Sequence, residues 1–227
     1  MNSTELKRWL VSQGAAVAGV ADLEELSGYP TLPENLLGGF KRGISMGIPI
    51  PRGALAEVHT GPNPLYLHAY ETVNRLLDDL AMRTANLLET AGGRALAIPA
   101  SHTLDRKAHF GNLSHKAVAR LAGLGWIGKN ILLVNPEYGP RLRFATVLTD
   151  LELEADSPLD RDCGACTKCT DACPAGAIKN VIAKPYPATR EVCVDLAACA
   201  AKLAEFKAEV GKDICGVCIR VCPFARV

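Results

Sequence analysis

Apolar residues recur at helical spacing in several stretches of the chain, and the first of these stretches lies within the first ten residues. Leu6, Trp9 and Leu10 follow the polar residues 2–4, which can cap a helix, so the pattern predicts an N-terminal amphipathic helix. A secretory signal peptide would instead have a basic stretch followed by a long apolar one. The apolar runs are also shorter than the roughly 18 residues needed to cross a bilayer. We therefore expect a cytoplasmic protein without a membrane anchor.

The clearest helical stripe follows the sequence GPNP. Asn63 can cap this helix and Pro64 suits its first turn, the apolar positions recur as far as Leu88, and the glycines 92–93 end the pattern. A short buried strand is predicted next, over residues 95–99.

Further along, a second helix is predicted to start near Asn112 or Ser114 and to run through HKAVARLAG. The segments NILLV and RLRFATVLTDL flank the turn NPEYGP, which predicts a strand, a turn and a second strand. This alternation of helices and strands indicates an α+β layered domain.

A change in composition marks a domain boundary near residue 155. The stretch LELEADSPLDRD is acidic and lacks apolar periodicity, and the cysteines begin directly after it. We predict an α+β domain over residues 1–154 and a smaller cysteine-rich domain over residues 155–227. A helix over about 195–210 interrupts the cysteine region.

Charge and cysteine content narrow the functional classes. Lys plus Arg number 25 against 24 for Asp plus Glu, so no basic excess favours nucleic-acid binding. All nine cysteines lie between Cys163 and Cys222. In a small secreted domain this density would indicate disulfides, but in a cytoplasmic chain it indicates metal.

The cysteines have the spacing of a bacterial two-cluster ferredoxin. In such a run, three closely spaced thiolates bind one 4Fe-4S cluster and the fourth binds its neighbour. A second run repeats the end of this motif, with Lys212 in place of its first cysteine. Crossed ligation then predicts two sets of ligands: Cys163, Cys166, Cys169 and Cys222 for one cluster, and Cys173, Cys215, Cys218 and one distant cysteine for the other.

The distant cysteine is Cys193 or Cys199. We predict Cys193, because it lies at the edge of a loop, whereas Cys199 lies inside the 195–210 helix and suits a packed free thiol. Two zinc sites are the alternative to the clusters, but zinc sites rarely show these spacings followed by proline. Two 4Fe-4S clusters predict the transfer of single electrons at low potential, supplied by an external donor.

Three glycines mark the segment before NILLV. Gly123, Gly125 and Gly128 surround Trp126 and precede Lys129, and glycine lets the backbone approach a ligand closely. The order does not match a dinucleotide or Walker phosphate loop. A tight turn with a packed tryptophan is the alternative interpretation.

Several motifs occur in an order that resembles the epoxyqueuosine reductase and reductive dehalogenase superfamily: AGLGWIGKN, the segment ending in VLTDL, CGACTKCTDACPAGAI, the single cysteine of EVCVDL, and CGVCIRVCP. The resemblance covers residues 90–227. It implies a nitroreductase-like, cobalamin-binding α+β domain followed by a ferredoxin-like domain with two 4Fe-4S clusters. It also implies Cys193 as the eighth cluster ligand, and a corrinoid pocket along Gly125, Trp126, Ile127, Gly128 and Lys129.

Two features differ from that superfamily. Epoxyqueuosine reductases have an acidic proton donor ahead of the glycine-rich segment, whereas this chain has HFGNLSHK there, without a carboxylate. They also continue into helical repeats that help to hold tRNA, whereas this sequence stops shortly after its last cysteine, so we expect no nucleic-acid partner. His109, His115 and Tyr138 are the candidate catalytic proton donors. The alternatives are hydrogen-bonding histidines and a tyrosine packed over the turn.

Two functional hypotheses follow. The first is a cobalamin-dependent iron–sulfur oxidoreductase, in which two clusters pass electrons to the corrinoid for the reduction of a small-molecule substrate. The second is an electron-transfer or reductive-activator protein for a corrinoid protein, without a substrate of its own.

Overall fold

The computed structural model describes residues 1–105, 107–182 and 190–227. They form two compact units, each assembled from three separate stretches of the chain. The first unit comprises residues 1–48, 73–124 and 143–159, and the second comprises residues 49–72, 125–142 and 160–227. The domains 1–154 and 155–227 stay a prediction. The second unit differs from the predicted domain 155–227 because it also includes residues 49–72 and 125–142.

Helices and short strands alternate along the chain, which confirms the mixed helix and strand content of the predicted class. The α-helices are α1 (Ser3–Ser12), α2 (Arg52–Ala56), α3 (Pro64–Thr90), α4 (His115–Leu121), α5 (Lys168–Asp171), α6 (Leu196–Val210) and α7 (Val217–Arg220). Short 3-10 helices cover Glu24–Leu26, Arg190–Val192 and Pro223–Ala225. The strands are β1 (Val17–Asp22), β2 (Arg42–Pro49), β3 (Ala95–Ile98), β4 (Trp126–Ile127), β5 (Leu133–Val134) and β6 (Leu142–Thr149).

A sheet with the strand order β1-β2-β6-β3 is the frame of the first unit. β1 pairs antiparallel with β2, with Val20 opposite Ile44, and β3 pairs antiparallel with β6, with Leu96 opposite Leu148. β6 suits an inner position because it is rich in β-branched and apolar residues and is buried along nearly its whole length.

Helices α1 and α4 both contact β1. The α1 N-terminus is capped as the sequence predicts: the Asn2 side chain accepts a hydrogen bond from Glu5 N–H, and the Glu5 carboxylate accepts one from Asn2 N–H. A Cβ on Gly19 would lie 2.4 Å from Ala122 O. Only glycine therefore lets the end of α4 approach β1 so closely.

The acidic stretch after β6 is bound along β1. Asp156 N–H donates to Val20 O at 2.8 Å, and Asp156 Oδ2 accepts from Val20 N–H at 2.9 Å. The other carboxylate oxygen of Asp156 lies 2.6 Å from Lys7 Nζ. Ser3 Oγ donates to Glu154 O at 2.8 Å. These bonds fix the path of the chain ahead of the cysteine region.

The predicted helix starts are confirmed by their caps. Asn63 Oδ1 accepts from Tyr66 N–H at 2.8 Å at the start of α3, and the Ser114 hydroxyl accepts a backbone N–H bond at the start of α4. α6 follows Asp195 and ends at Gly211, which has a φ of 84°. Among the described residues, none of the helices is both long enough and apolar enough to cross a membrane. The cytoplasmic location stays a prediction.

The predicted strand unit around NPEYGP is wrong in its pairing. The turn itself is present, since Asn135 and Gly139 form an isolated antiparallel bridge. β5, however, pairs with β4, with Trp126 opposite Val134, whereas β6 lies in the sheet of the first unit. The apolar pattern cannot separate these arrangements, because each of them buries the same strands.

Candidate metal centre in the second unit

The cysteines of the first run converge on the last cysteine of the chain. The pKa of the Cys222 thiol is raised to about 11, chiefly by burial and further by the neighbouring Cys163 and Cys169. Burial also raises the pKa of Cys169, with contributions from Cys163 and Cys166. Crowded, partly buried thiolates are stabilised by a positive charge beside them, which bound iron would supply. These four thiols are the set predicted for the first cluster, and their binding of iron stays a prediction.

A second group contains Cys173, Cys215 and Cys218, and Cys199 joins it. Burial raises the pKa of Cys215, and Cys199 and Cys173 raise it further. Burial likewise raises the pKa of Cys218, with contributions from Cys215, from Cys169 of the first group and from Cys199. Cys199, on α6, has its own pKa raised by burial and by Cys173. Four thiols therefore lie within electrostatic reach of one another here too.

Cys193, the predicted eighth ligand, has different surroundings. The residue is completely buried, and burial raises the pKa of its thiol. Its carbonyl accepts from Lys179 N–H at 2.8 Å, next to an isolated bridge between Ile178 and Val194. The structure thus brings Cys199 towards the second group, although the sequence suggested a packed thiol there. Cys193 stays the prediction from the sequence, with Cys199 as the alternative that this placement favours.

Two buried polar groups near the cysteines lack a hydrogen-bond partner among the described residues. They are the hydroxyl of Thr170, inside the first cysteine run, and the indole N–H of Trp126. Cluster sulfur accepts such hydrogen bonds, which also tune the reduction potential of a cluster. Within the described ranges, no three His, Cys, Asp or Glu side chains are placed to hold a single metal ion. A cubane spaces its cysteines more widely, because each thiolate binds a different iron, and the residues present fit such a group.

Two glycines of the predicted corrinoid segment are packed closely against other atoms of the chain, which leave no room for a Cβ. A Cβ on Gly125 would lie 2.3 Å from Val134 O. A Cβ on Gly128 would lie 2.9 Å from Val134 Cγ2 and 3.5 Å from Cys163 Sγ. Both glycines therefore allow close packing inside the second unit.

The next two residues of this segment bind the cysteine loops. Lys129, which is only 4% exposed, donates from Nζ to Cys166 O at 2.9 Å and to Asn180 Oδ1 at 2.7 Å. Asn130 Nδ2 donates to Cys218 O at 3.4 Å. Residues 129–130 thus contact one loop of each cysteine group.

The aromatic residue of the segment is enclosed as well. Trp126 is buried edge-on against Phe224, with ring centroids 5.1 Å apart, and the guanidinium of Arg161 lies 5.4 Å from its ring centroid. Ile127 is also buried. As placed, residues 125–129 do not form an open lining for a corrinoid.

His115 is engaged through both ring nitrogens. Nε2 lies 2.9 Å from Pro99 O, and Nδ1 lies 2.8 Å from Thr146 Oγ1. Because a carbonyl only accepts, Nε2 carries the hydrogen, and Nδ1 accepts from the Thr146 hydroxyl. Burial lowers the pKa of His115 to about 4, a shift to which the nearby Arg143 contributes. The ring is thus neutral near pH 7 and holds α4 to the sheet, an arrangement that favours the hydrogen-bonding alternative over proton donation.

The other two candidate proton donors belong to different units. His109 is an exposed residue of the first unit with a φ of 51°. Tyr138 belongs to the second unit, where its N–H donates to Asn135 Oδ1 and the Arg141 guanidinium lies 5.1 Å from its ring centroid. Burial and Glu137 raise the pKa of Tyr138. Tyr138 is therefore packed at the turn, and the catalytic roles of all three residues stay predictions.

The polar residues that support the cysteine loops were not predicted from the sequence. Asn130 follows the glycine-rich motif directly, so its place next to Lys129 could have suggested a shared role. Nothing in the sequence marks Asn180, whose φ of 61° and contact with Lys129 appear only in the folded chain.

Comparison with known proteins supports these features. Residues 162–225 match the family described as a 4Fe-4S double cluster binding domain. The epoxyqueuosine reductase of Bacillus subtilis (strain 168) is 37% identical over 120 residues, which are 51% of this chain and 30% of that protein. The enzyme of Gloeobacter violaceus is 39% identical over 123 residues, 50% of this chain and 36% of that protein. The matched part is thus about a third of the length of these curated relatives.

Solved structures extend the similarity to the whole fold. An epoxyqueuosine reductase crystallised with an epoxyqueuosine-modified tRNA-Tyr stem loop has a TM-score of 0.65 at 23% identity, covering 98% of this chain and 65% of that one. A catabolic reductive dehalogenase in complex with 3-bromo-4-hydroxybenzoic acid has a TM-score of 0.73 at 21% identity, covering 98% of this chain and 31% of that one. The absence of a nucleic-acid partner stays a prediction.

The match over residues 162–225 confirms the expectation of two 4Fe-4S clusters. The resemblance noted in the motifs is confirmed too, since the sequence similarity reaches half of the chain and the fold similarity nearly all of it. The chain is therefore an iron–sulfur protein similar to the epoxyqueuosine reductases, with a fold that it shares with them and with the reductive dehalogenases.

Proposed function

We propose that this chain is an iron–sulfur oxidoreductase in which two 4Fe-4S clusters carry single electrons from an external low-potential donor to a bound cobalamin, for the reduction of a small-molecule substrate. The observation that carries the proposal is the match of residues 162–225 to a 4Fe-4S double cluster binding domain. The electrostatic effect of Cys163 and Cys169 on Cys222 supports crossed ligation, because it relates the last cysteine of the second run to the first group. Crossed ligation holds two clusters close together, so an electron can pass between them.

The cluster chemistry is a balanced one-electron exchange. Bound clusters would supply this exchange: an external donor would lose one electron, and no covalent bond would be made or broken as the electron moved through the pair. Residues of the second unit set the conditions for this exchange. They partly bury the thiols, offer the Thr170 and Trp126 donors, and hold Lys129 at the first cysteine loop.

The cobalamin part of the proposal rests on similarity. A reductive dehalogenase of the same fold, with a TM-score of 0.73 at 21% identity, is described in terms of B12-dependent dehalogenation. A bound corrinoid would supply a cobalt centre that accepts electrons one at a time. Residues 125–129 are packed within the second unit, so we do not assign them as its lining.

That packing favours a second candidate, an electron-transfer or activator protein for a corrinoid protein. Anaerobic purification from cells supplied with cobalamin, followed by iron, sulfide and cobalt analysis, separates the two. We expect about eight irons and about one cobalt per chain. Eight irons without cobalt, and without corrinoid uptake on reconstitution, would leave the electron-transfer protein; zinc in place of iron would refute both candidates.

A further inference from the structure

Lys129 is a buried cation fixed against the first cysteine loop. Its side chain is almost fully enclosed, and Nζ donates to two neutral oxygens, Cys166 O at 2.9 Å and Asn180 Oδ1 at 2.7 Å. Cys166 is one of the thiols predicted to bind the first cluster. The ammonium is therefore hydrogen-bonded to the backbone of a predicted cluster ligand.

Among residues 1–105, 107–182 and 190–227, this ammonium has no carboxylate partner. Across the described residues, the ion pairs found include none between Lys129 and a carboxylate. A buried charge is costly unless an opposite charge offsets it. A 4Fe-4S cluster bound by four thiolates carries net negative charge, and it becomes more negative by one unit when it takes up an electron. The cluster can therefore provide the missing anion, and more so when it is reduced.

The second cysteine group has a neutral residue in the corresponding place. Asn130 Nδ2 donates to Cys218 O at 3.4 Å. The Cys218 loop is therefore contacted by a neutral amide, whereas the Cys166 loop is contacted by the Lys129 ammonium. Two neighbouring residues thus place a charged side chain at the first cysteine group and a neutral side chain at the second. The difference points to unequal reduction potentials.

We propose that Lys129 sets the potential of the first cluster, stabilising its reduced form and making it the better electron acceptor of the pair. The inference rests on the proposed function in so far as it requires both clusters. Lys129 acts here as a positioning and electrostatic residue: it holds the Cys166 loop through a hydrogen bond, and it places one fixed positive charge beside the cluster. It does not touch a substrate.

The test is a redox titration of the anaerobic, cluster-loaded full chain, followed by electron paramagnetic resonance. Lys129→Gln removes the charge but keeps a hydrogen-bond donor. We expect it to shift the reduction equilibrium of one cluster at least tenfold towards the oxidised form, which for one electron is a potential lower by about 59 mV. The other cluster should change less than threefold, and Lys129→Arg should keep both potentials close to those of the unmodified protein.

Lys168→Gln is the matched control, because Lys168 is next to Cys169 in the sequence but exposed to solvent, where its charge is screened. We expect less than a threefold shift for this variant. Asn180→Asp supplies a second test: it sets a carboxylate beside Nζ, cancels part of the field, and should lower the same potential as Lys129→Gln. Aspartate tolerates the left-handed φ of 61° at this position.

Each result has one meaning. If Lys129→Gln keeps all its iron and titrates like the unmodified protein, the inference is overturned while the proposed function stands. If Lys129→Gln loses iron, Asn180→Asp decides, and unchanged potentials in that variant overturn the inference. An unmodified protein that binds no iron would refute the proposed function itself, and the role of Lys129 with it.

Discussion

Replacing Gly125 with alanine tests whether the glycine-rich segment is packed as the structure shows. The new Cβ would lie 2.3 Å from Val134 O, 2.9 Å from Val134 C and 3.2 Å from Asn135 Cα. All three are backbone atoms, so rotation of a side chain cannot relieve the contact. To reach an ordinary contact distance of 3.4 Å, the β4 and β5 chains must move apart by about 1 Å.

The expected cost follows from that displacement. Overpacking typically costs about 1–3 kcal/mol, and a backbone partner favours the upper end of this range. For a protein of this size, each kcal/mol lowers the melting temperature by about 2–4 °C, so Gly125→Ala should melt roughly 6–12 °C lower. Thermal unfolding of the cluster-loaded protein under argon, at one fixed scan rate, measures the difference.

Gly53→Ala is the matched control within the same unit. Gly53 lies in α2, and a Cβ there would meet no atom within 4 Å. Alanine also suits a helix better than glycine by about 1 kcal/mol, so this variant should melt at or slightly above the unmodified temperature. Equal melting temperatures for Gly125→Ala and Gly53→Ala, with iron retained in both, would refute the packing described for β4 and β5.

Two further predictions concern single side chains. Burial lowers the pKa of His115 from 6.5 to about 4, so as the pH falls through this range the unfolded chain binds a proton that the folded chain does not. Stability should fall by up to about 3 kcal/mol over that range, and His115→Gln should flatten this slope in denaturant titrations; an unchanged slope would contradict the assignment. Because Cys199 lies in the second thiol group, Cys199→Ser should lower the iron content from about eight to about four atoms per chain, while Cys193→Ser keeps about eight. The reverse pattern would identify Cys193, the residue predicted from the sequence, as the eighth ligand.

Structural features that depend only on residues close together in the chain could be predicted from the sequence. Helix caps such as Asn63 and Asp195 act within one turn, so their signal lies beside the apolar stripe that they precede. The cysteine spacings specify a cluster motif for the same reason, since three ligands of one cubane come from a single loop.

Features that depend on distant segments could not be predicted. The partner of β5 is β4 instead of β6, because tertiary packing chooses between strands with similar patterns. The family resemblance implied that Lys129 lines a corrinoid pocket, but its partners are Cys166 O and Asn180, which lie 37 and 51 residues away in the chain. Its role becomes visible only when those loops are folded around it.

The set of chain segments that form the second unit could not be predicted from the sequence either. Gly61 packs against Phe206, where a Cβ would lie 2.6 Å from the phenyl ring, and Arg220 Nε donates to Ala56 O at 3.0 Å. Both contacts join residues 49–72 to helices that follow the cysteine run. Nothing in the local pattern of GPNP or of α6 indicates this association, so the sequence could not set the limits of the unit.

This interleaving has a consequence for how the protein is made. Residues 49–72 and 125–142 leave the ribosome before the cysteines do. These two stretches of the second unit therefore stay partly exposed until the third stretch has been synthesised. The burial of Trp126 against Phe224 can be completed only after Phe224 has been synthesised. A ferredoxin module cut out at residue 155 would lack Trp126 and Lys129, and would have to hold its clusters without either of them.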